Sequence, residues 1–392
     1  MLDDIQPYDL SPEQEEFRSI IRRLAEDKIR PRAAEIDQKG EYPRDILEQF
    51  RRNDLMGLLV PEEYGGMGAD FLTFCVVIEE LARVDASCSL IPASQELGLM
   101  PIKLAGSREQ KERYLPRLAS GEDIAAFALT EPGAGSDVTA ISTTATRTDD
   151  GYVLNGSKCF ITNGGVATVY TVFASTDPSR GARGLSAFIV KADSPGFEVG
   201  KIEDKMGIRG SQTSEIIFQD CLVPESNLLG RRGTGLLLAM DTLDRSRSGG
   251  GAQAVGIAQG ALEEAISYVK EREQFGKALA HQQGVQMMLA DMGMEIEAAR
   301  QLVYRAAAVV DRESKERRRL THQAGRLSAM AKTFASDVAM RVTTDAVQLL
   351  GGYGYMKDYP VERMMRDAKV VQIYEGTNQI QRLVIARSLL KG

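Results

Sequence analysis

Between residues 121 and 233 the apolar spacing of this chain changes, and that change constrains the fold more than any other feature. On either side, apolar residues recur every three or four positions, as on helices with one buried face. Ser11-Pro12-Glu13-Gln14 is a helix start, with a capping Ser, Pro at the first helical position and Gln three after the cap. Phe17, Ile20, Ile21 and Leu24 then form one stripe, and Pro31 stops or kinks the helix. A second helix is expected from near Arg44. Residues 72–84 (LTFCVVIEELARV) are apolar nearly all round, which predicts a buried helix, and 109–118 predict another. In the middle region Gly and Pro punctuate short apolar runs. Asp149-Asp150-Gly151 and Asn155-Gly156 read as hairpin turns, and 185–190 and 215–218 as strands. From about 233 the helical period returns in segments 233–247, 252–272, 282–310 and 324–350, with a last helix from about Asn378. The expectation is an α+β chain of three domains: helical 1–123, β 124–231 and a helical bundle 232–392.

The 392 residues carry a formal net charge of −7, which argues against nucleic acid as the main partner, because phosphate binding needs a basic face. The one basic run, KERRR at 315–319, reads as a solvated helix end or loop. The four cysteines (Cys75, Cys88, Cys159, Cys221) show no metal-ligand spacing, so no metal is expected and a reducing compartment fits. The N-terminal MLDDIQPYDLS is acidic and has no apolar secretory core, and no apolar run approaches membrane-spanning length. The expected location is a bacterial cytoplasm, or a mitochondrial matrix for a processed chain. With only His281 and His322, His-based triads are nearly excluded. No G-x-G-x-x-G follows a strand and no Walker loop appears, so a nucleotide cofactor would need a non-Rossmann arrangement. Carboxylates remain, and the stretch VQIYEGTNQIQ at 371–381 isolates one, Glu375, between apolar residues and amides.

Five stretches combine: TEPGAGSD at 130–137, NGxKxxITN at 155–163, RxxFGK at 272–277, LGGYGY at 350–355 and YEGTxQ at 374–379. In that order and at those separations, across essentially the whole chain, they resemble the acyl-CoA dehydrogenase flavoprotein family. The resemblance implies a helical N-terminal domain, a β-barrel-like middle domain and a C-terminal four-helix bundle. It implies FAD, with the flavin against Phe127, Leu129, Thr130, Phe160 and Thr162 and the glycine-rich loop of Gly135 and Ser136 beside it. Arg272, Phe275, Gln283, Gln348 and Gly352 match positions that hold the ADP half across a subunit interface, and Thr377 and Gln379 match further FAD contacts. Such shared sites imply an oligomer, usually a homotetramer. Many relatives carry Trp at the Phe160 position; Phe keeps the aromatic face and loses the N–H donor. Taken alone, Phe160 could equally be a core aromatic.

By the same resemblance Glu375 is the base that takes the α-proton of an acyl-CoA thioester while the β-hydrogen leaves as hydride to flavin N5. Its own N–H and a flavin ribityl hydroxyl would hold the thioester carbonyl, Gly376 would let the backbone turn closely, and an apolar pocket would strengthen the base. Glu375 also stands where an acid favours a following helix, and both roles can hold. Some relatives place the base at the Ser246 position, which Ser cannot fill. Asp244, Arg247 and Ser136 match CoA-side contacts, although Arg247 could be an ordinary surface arginine. Gly249, Gly250 and Gly251 fall where a helix should continue, each at a cost of about 1 kcal/mol. Either Gly250 widens the acyl pocket for a branched or cyclic group, or the three serve close helix packing. Cys88 takes the place of the glutaryl-branch arginine, which disfavours a dicarboxylyl substrate. Ser94, Gln95 and Glu96 fall near the expected pocket floor, with Glu96 shortening the pocket, binding a polar group or facing water. The expected reaction is dehydrogenation of a short, branched or cyclic acyl-CoA with an electron-transferring flavoprotein as acceptor. An O2-using oxidase and a non-catalytic assembly or binding protein are the alternatives.

Overall fold

The computed structural model describes residues 10–316 and 319–390. Most of the acidic N-terminal stretch and the centre of the 315–319 basic run lie outside the described residues. Six helices come first: α1 (Pro12–Leu24), α2 (Ala33–Lys39), α3 (Arg44–Arg52), α4 (Phe71–Ala82), α5 (Ala86–Ala105) and α6 (Arg108–Ala119). Ser11 caps α1 and exchanges bonds with Gln14 in a capping box, as its sequence predicts. Ile21 is buried, but Ile20 is 49% exposed, so the expected stripe is narrower than read. Around Pro31 the chain does not stop: a π-turn (Ala25–Ile29) and a 3-10 turn (Arg30–Arg32) lead into α2. Helix α5 was not legible because Pro92 and Pro101 lie inside it. It is started by Asp85, whose Oδ1 accepts from the Cys88 N–H at 2.8 Å, and it is buried along most of its length.

Next come β1 (Ala125–Ala128), β2 (Thr144–Thr148), β3 (Gly151–Thr162), β4 (Val169–Ser175), β5 (Leu185–Lys191), β6 (Phe197–Ile202), β7 (Thr213–Val223) and β8 (Leu228–Leu229). They form one mixed sheet in the order β6-β7-β3-β2-β4-β5-β8, with β1 parallel to β4. Asn155-Gly156 is not a turn. It lies inside β3, at a register shift against β7, and Gly156 takes a φ of 142°. A Cβ there would meet the Thr143 side chain at 2.7 Å, so a glycine that resembles a hairpin signal marks a bulge.

The rest is helical: α7 (Gly235–Glu271), a two-residue-per-strand hairpin of β9 (Glu273–Gln274) and β10 (Lys277–Ala278), α8 (Gln283–Glu316), α9 (His322–Leu350), α10 (Val361–Val371) and α11 (Asn378–Leu390). Helix α7 runs unbroken for 37 residues through the three glycines, joining segments that the sequence suggests are separate. Helices α7, α8 and α9 pack as a bundle, completed by α10 and α11 against α9. One apolar core runs from α1–α5 through this bundle to one sheet face. A second joins α5, α6 and the start of α7 to the other face. Strand β5 shows why both cores exist: Phe188 and Val190 enter one, while Leu185, Ala187 and Ile189 enter the other. Among the described residues no helix is long and apolar enough to cross a membrane.

Candidate active site

Helix α10 ends at Val371 and α11 begins at Asn378; the six residues between them turn sharply. Glu375 has a φ of 54° and Gly376 one of 91°. A non-glycine residue in the left-handed region is uncommon and persists when its surroundings hold it there. Here the turn's carbonyls are gripped from inside. Gln381 Nε2 donates to the Glu375 carbonyl at 3.0 Å and to Gly376 at 3.3 Å. Lys332 Nζ donates to the Gly376 carbonyl at 2.9 Å, and Arg247 Nε approaches the Glu375 carbonyl at 3.5 Å. Tyr374 donates its phenol hydrogen to Gln253 Oε1, and Gln253 Nε2 donates to Ala86 O and Ser89 Oγ. The Glu375 N–H donates to no group among the described residues.

The carboxylate of Glu375 points toward α7. Its Oε2 is shielded from solvent and has no hydrogen-bond partner. A Cβ built on Gly250 would lie 3.0 Å from that oxygen. Burial pushes the Glu375 carboxyl above its ordinary range; Lys332, Arg247 and the Ser246 hydroxyl offset this only in part. Thr377 caps the following helix, its Oγ1 accepting from the Ile380 N–H at 3.3 Å.

The three glycines divide their work. A Cβ on Gly249 would strike the Phe74 ring, and one on Gly251 would strike Val303, each at 2.8 Å. Those two permit packing against α4 and α8, and only the middle one faces the carboxylate. Arg247 is not a surface arginine: it is buried, pairs with Asp244 and reaches the Glu375 turn. Ser246 is also buried, with its hydroxyl directed to Leu243 O at 3.3 Å.

Phe127, Leu129, Thr130 and Phe160, Thr162 come from two segments, the end of β1 with the following loop and the end of β3. Both are tied together by residues whose part the sequence did not disclose. Lys158 is wholly buried; its Nζ donates to Glu131 Oε1 at 2.6 Å and Leu129 O at 3.2 Å. Cys159 N–H donates to Thr130 O at 2.9 Å. Glu131 also accepts from Ser142 and Thr143. Phe160 follows at a φ of 57° and is 66% exposed, so it is no core aromatic. Gly135 and Ser136 are exposed in the loop beyond.

Arg272 and Gly352 meet in a cavity of about 460 Å³ that Tyr268 and Tyr353 also line, with the Arg272 guanidinium over the Tyr353 ring. Phe275, Gln283 and Gln348 are exposed outside its lining, and Gln379 is exposed on α11. At the expected pocket floor, Gln95 clamps Leu118 O, Asp123 O and the Ala125 N–H, a structural task. Glu96 neither faces water nor is free for a ligand: it is buried and paired with Lys103 at 2.7 Å. Ser94 and Cys88 are buried as well. Lys332, Gln253, Gln381, Lys158 and Glu131 are the site residues that sequence reasoning missed. The last three lie inside stretches it had singled out; Lys332 and Gln253 do not.

Residues 11–122 match the family description "Acyl-CoA dehydrogenase, N-terminal domain", 126–221 the middle domain and 233–390 the C-terminal domain. The chain belongs to the acyl-CoA dehydrogenase family. It is 53% identical over 98% of its length to a probable acyl-CoA dehydrogenase, FadE25, of Mycobacterium tuberculosis, covering 97% of that protein. It is 50% identical to cyclohex-1-ene-1-carbonyl-CoA dehydrogenase of Syntrophus aciditrophicus, with 97% and 91% of the two chains covered. Among solved structures, butyryl-CoA dehydrogenase of Megasphaera elsdenii superposes with a TM-score of 0.94 at 46% identity, covering 98% of this chain and 100% of that one. An acyl-CoA dehydrogenase of Bacillus anthracis complexed with FAD superposes at 0.91 and 34% identity, covering 99% and 68%. The enzyme is thus an oxidoreductase acting on acyl-CoA, with FAD as its cofactor. Its own residues fit that group: Phe160 offers an exposed aromatic face for a flavin ring, and the cavity of Arg272, Tyr268 and Tyr353 offers a cation and aromatic faces for a nucleotide diphosphate.

Proposed function

We propose that Glu375 removes the α-proton of a short, branched or cyclic acyl-CoA thioester, giving the 2-enoyl-CoA. The observation that carries this is the unpartnered, solvent-shielded Glu375 Oε2 beside Gly250, on a turn whose N–H is uncommitted. A carboxylate raised by burial is a stronger base than a solvated one. The Glu375 N–H would hold the thioester oxygen as charge develops on it. FAD, when bound, supplies the acceptor for the β-hydrogen leaving as hydride. Phe127, Leu129, Thr130, Gly135, Ser136, Phe160, Thr162, Thr377 and Gln379 would hold its flavin side, and Arg272, Phe275, Gln283, Gln348 and Gly352 its ADP side. Asp244, Ser246, Arg247 and Gly376 would frame the thioester and CoA end.

Anaerobic addition of straight, branched and cyclic acyl-CoAs to the FAD-loaded enzyme tests this. Bleaching of the flavin's visible absorbance with a short, branched or cyclic class is the expected result, and none across the panel overturns it. Readmitting air distinguishes the proposed acceptor, an electron-transferring flavoprotein, from oxygen. We further propose a homotetramer in the bacterial cytoplasm, the relatives named above being bacterial. The apolar Phe275 (95% exposed), Met287 and Met294 on β9–β10 and α8 support a covering copy.

The substrate class rests on Gly250. Gly250→Val should lower turnover of every substrate, since the new Cβ crowds the Glu375 carboxylate. Branched and cyclic acyl-CoAs should lose at least about tenfold more kcat/KM than butyryl-CoA, the scale of one methyl-sized misfit in a pocket. Equal losses across the panel would overturn the widened-pocket reading and leave Gly250 only as clearance for the Glu375 carboxylate. The pH profile gives a second check. A base must be ionised, so kcat/KM should rise with pH, and its acid limb should fall above the ordinary glutamate value of about 4.3. A limb at or below that value would contradict the buried base.

A further inference from the structure

We propose that Lys332 is a positioning residue for Glu375, fixing the turn that carries the base and holding a positive charge beneath its carboxylate. The inference rests on Glu375 being the base. Lys332 lies on α9 and is wholly buried. Lysines are almost never fully buried unless partnered, because desolvating the ammonium is expensive. Both of its hydrogen-bond acceptors belong to the segment after the base: the Gly376 carbonyl and Asn378 Oδ1, each at 2.9 Å. Asn378 is itself fixed by Ser336 Oγ at 2.8 Å and Asp337 Oδ1 at 2.9 Å. Lys332 therefore bolts the turn to α9 at the peptide next to the base. With its carbonyl drawn inward, the left-handed Glu375–Gly376 pair is held with its carboxylate toward Gly250.

The charge acts alongside the bolt. Facing Glu375 are Arg247 and the Ser246 hydroxyl from α7, Lys332 from α9 and Tyr374 on its own turn. Facing Lys332 are Glu375, Arg247, Asp337 and, from α11, Arg382. Burial lowers Lys332 to about 8, and Glu375 is the foremost charge resisting that fall. Arg247 is already paired with Asp244. Lys332, which has no carboxylate of its own within ion-pair distance among the described residues, is the cation left to balance Glu375.

The test compares Lys332→Met, which removes donor and charge, with Lys332→Gln, which keeps a donor, in the FAD-loaded enzyme. Lys332→Met should move the acid limb of kcat/KM up by about one pH unit, the scale set by losing a nearby opposite charge. It should lower kcat at least about tenfold, since the base and the N–H that holds the thioester oxygen are both misplaced. Lys332→Gln should recover part of kcat but keep the raised limb. A readout independent of turnover is the protonated-carboxyl infrared band that Glu375→Gln abolishes; its titration should shift up in both variants. If Lys332→Met does not fold, Lys332→Gln decides through the same limb and band. An unmoved limb and band in a folded, flavin-loaded variant overturn the proposal. An active Glu375→Gln enzyme would instead overturn the assignment of the base, leaving a distinct record of which reading failed.

Discussion

Glu375→Gln should lower kcat by about 10²–10⁴-fold, the range that a positioned general base contributes, while leaving FAD content unchanged. Gln fills nearly the same volume and cannot take a proton. The left-handed turn is held through its carbonyls by Gln381 and Lys332, not through the carboxylate, so it should persist. Steady-state kinetics and anaerobic flavin bleaching check this together. A variant that bleaches at the normal rate would remove Glu375 from the chemistry. The folded protein should not suffer. A carboxyl whose folded pKa is raised contributes stability below its unfolded pKa, and that contribution is lost as pH rises through the folded value. Above that raised value the ionised side chain is a net cost, and there Glu375→Gln should melt at the same temperature as the parent or higher.

Lys158→Met should have the opposite character, with a large loss of stability. It leaves Glu131 buried with hydrogen bonds from Ser142 and Thr143 but without its counter-charge. Breaking a buried ion pair from one side costs about 3–5 kcal/mol, because an uncompensated charge remains. Adding Glu131→Gln should recover much of that loss, since no charge is then stranded. Denaturant unfolding of the two single variants and the double variant checks this, and additive losses would mean that the pair is not coupled. The pH dependence follows the same logic. Burial works to raise the Glu131 carboxyl, but Lys158 and the bonds from Thr143 and Ser142 outweigh it and hold it well below the ordinary range. The resulting stability is present above the ordinary glutamate value and is lost as pH falls through the lowered one. Lys158→Met should bring acid unfolding to higher pH. It should also weaken FAD retention, because the pair ties the Leu129–Thr130 loop to the strand end carrying Phe160 and Thr162.

The two experiments separate chemistry from scaffold, and they fall on residues of unequal legibility. Glu375 stood out because one acid lay among apolar residues and amides, and because the stretch matched a family pattern. Lys158 and Glu131 lay inside quoted stretches, yet nothing local marks one lysine as buried against one glutamate 27 positions earlier. Lys332 and Gln253 lay in ordinary helical text. Their partners are 44 and 121 residues away, at Gly376 and Tyr374, so no spacing rule could bring them forward.

What the sequence determined by itself is what depends on neighbours along the chain. The apolar period marked the helical, β and helical regions; Ser11 and Gln14 marked the start of α1; and the family stretches carried the activity and the cofactor. Tertiary structure decided where a local signal admits two outcomes. Gly156 could end a strand or bulge it, and pairing with β7, with Thr143 packed close on its other side, made it a bulge. Pro92 should interrupt a helix, and burial on neighbouring elements let α5 continue through it. Three adjacent glycines could mean packing or a pocket, and the atoms opposite each one divided them: Phe74, the Glu375 carboxylate and Val303. The physical reason is common to all three cases. Propensity and capping are set within a few residues, at about 1 kcal/mol each. Burial and the fate of a desolvated charge are set by whatever packs against them, and that is fixed only when distant segments meet.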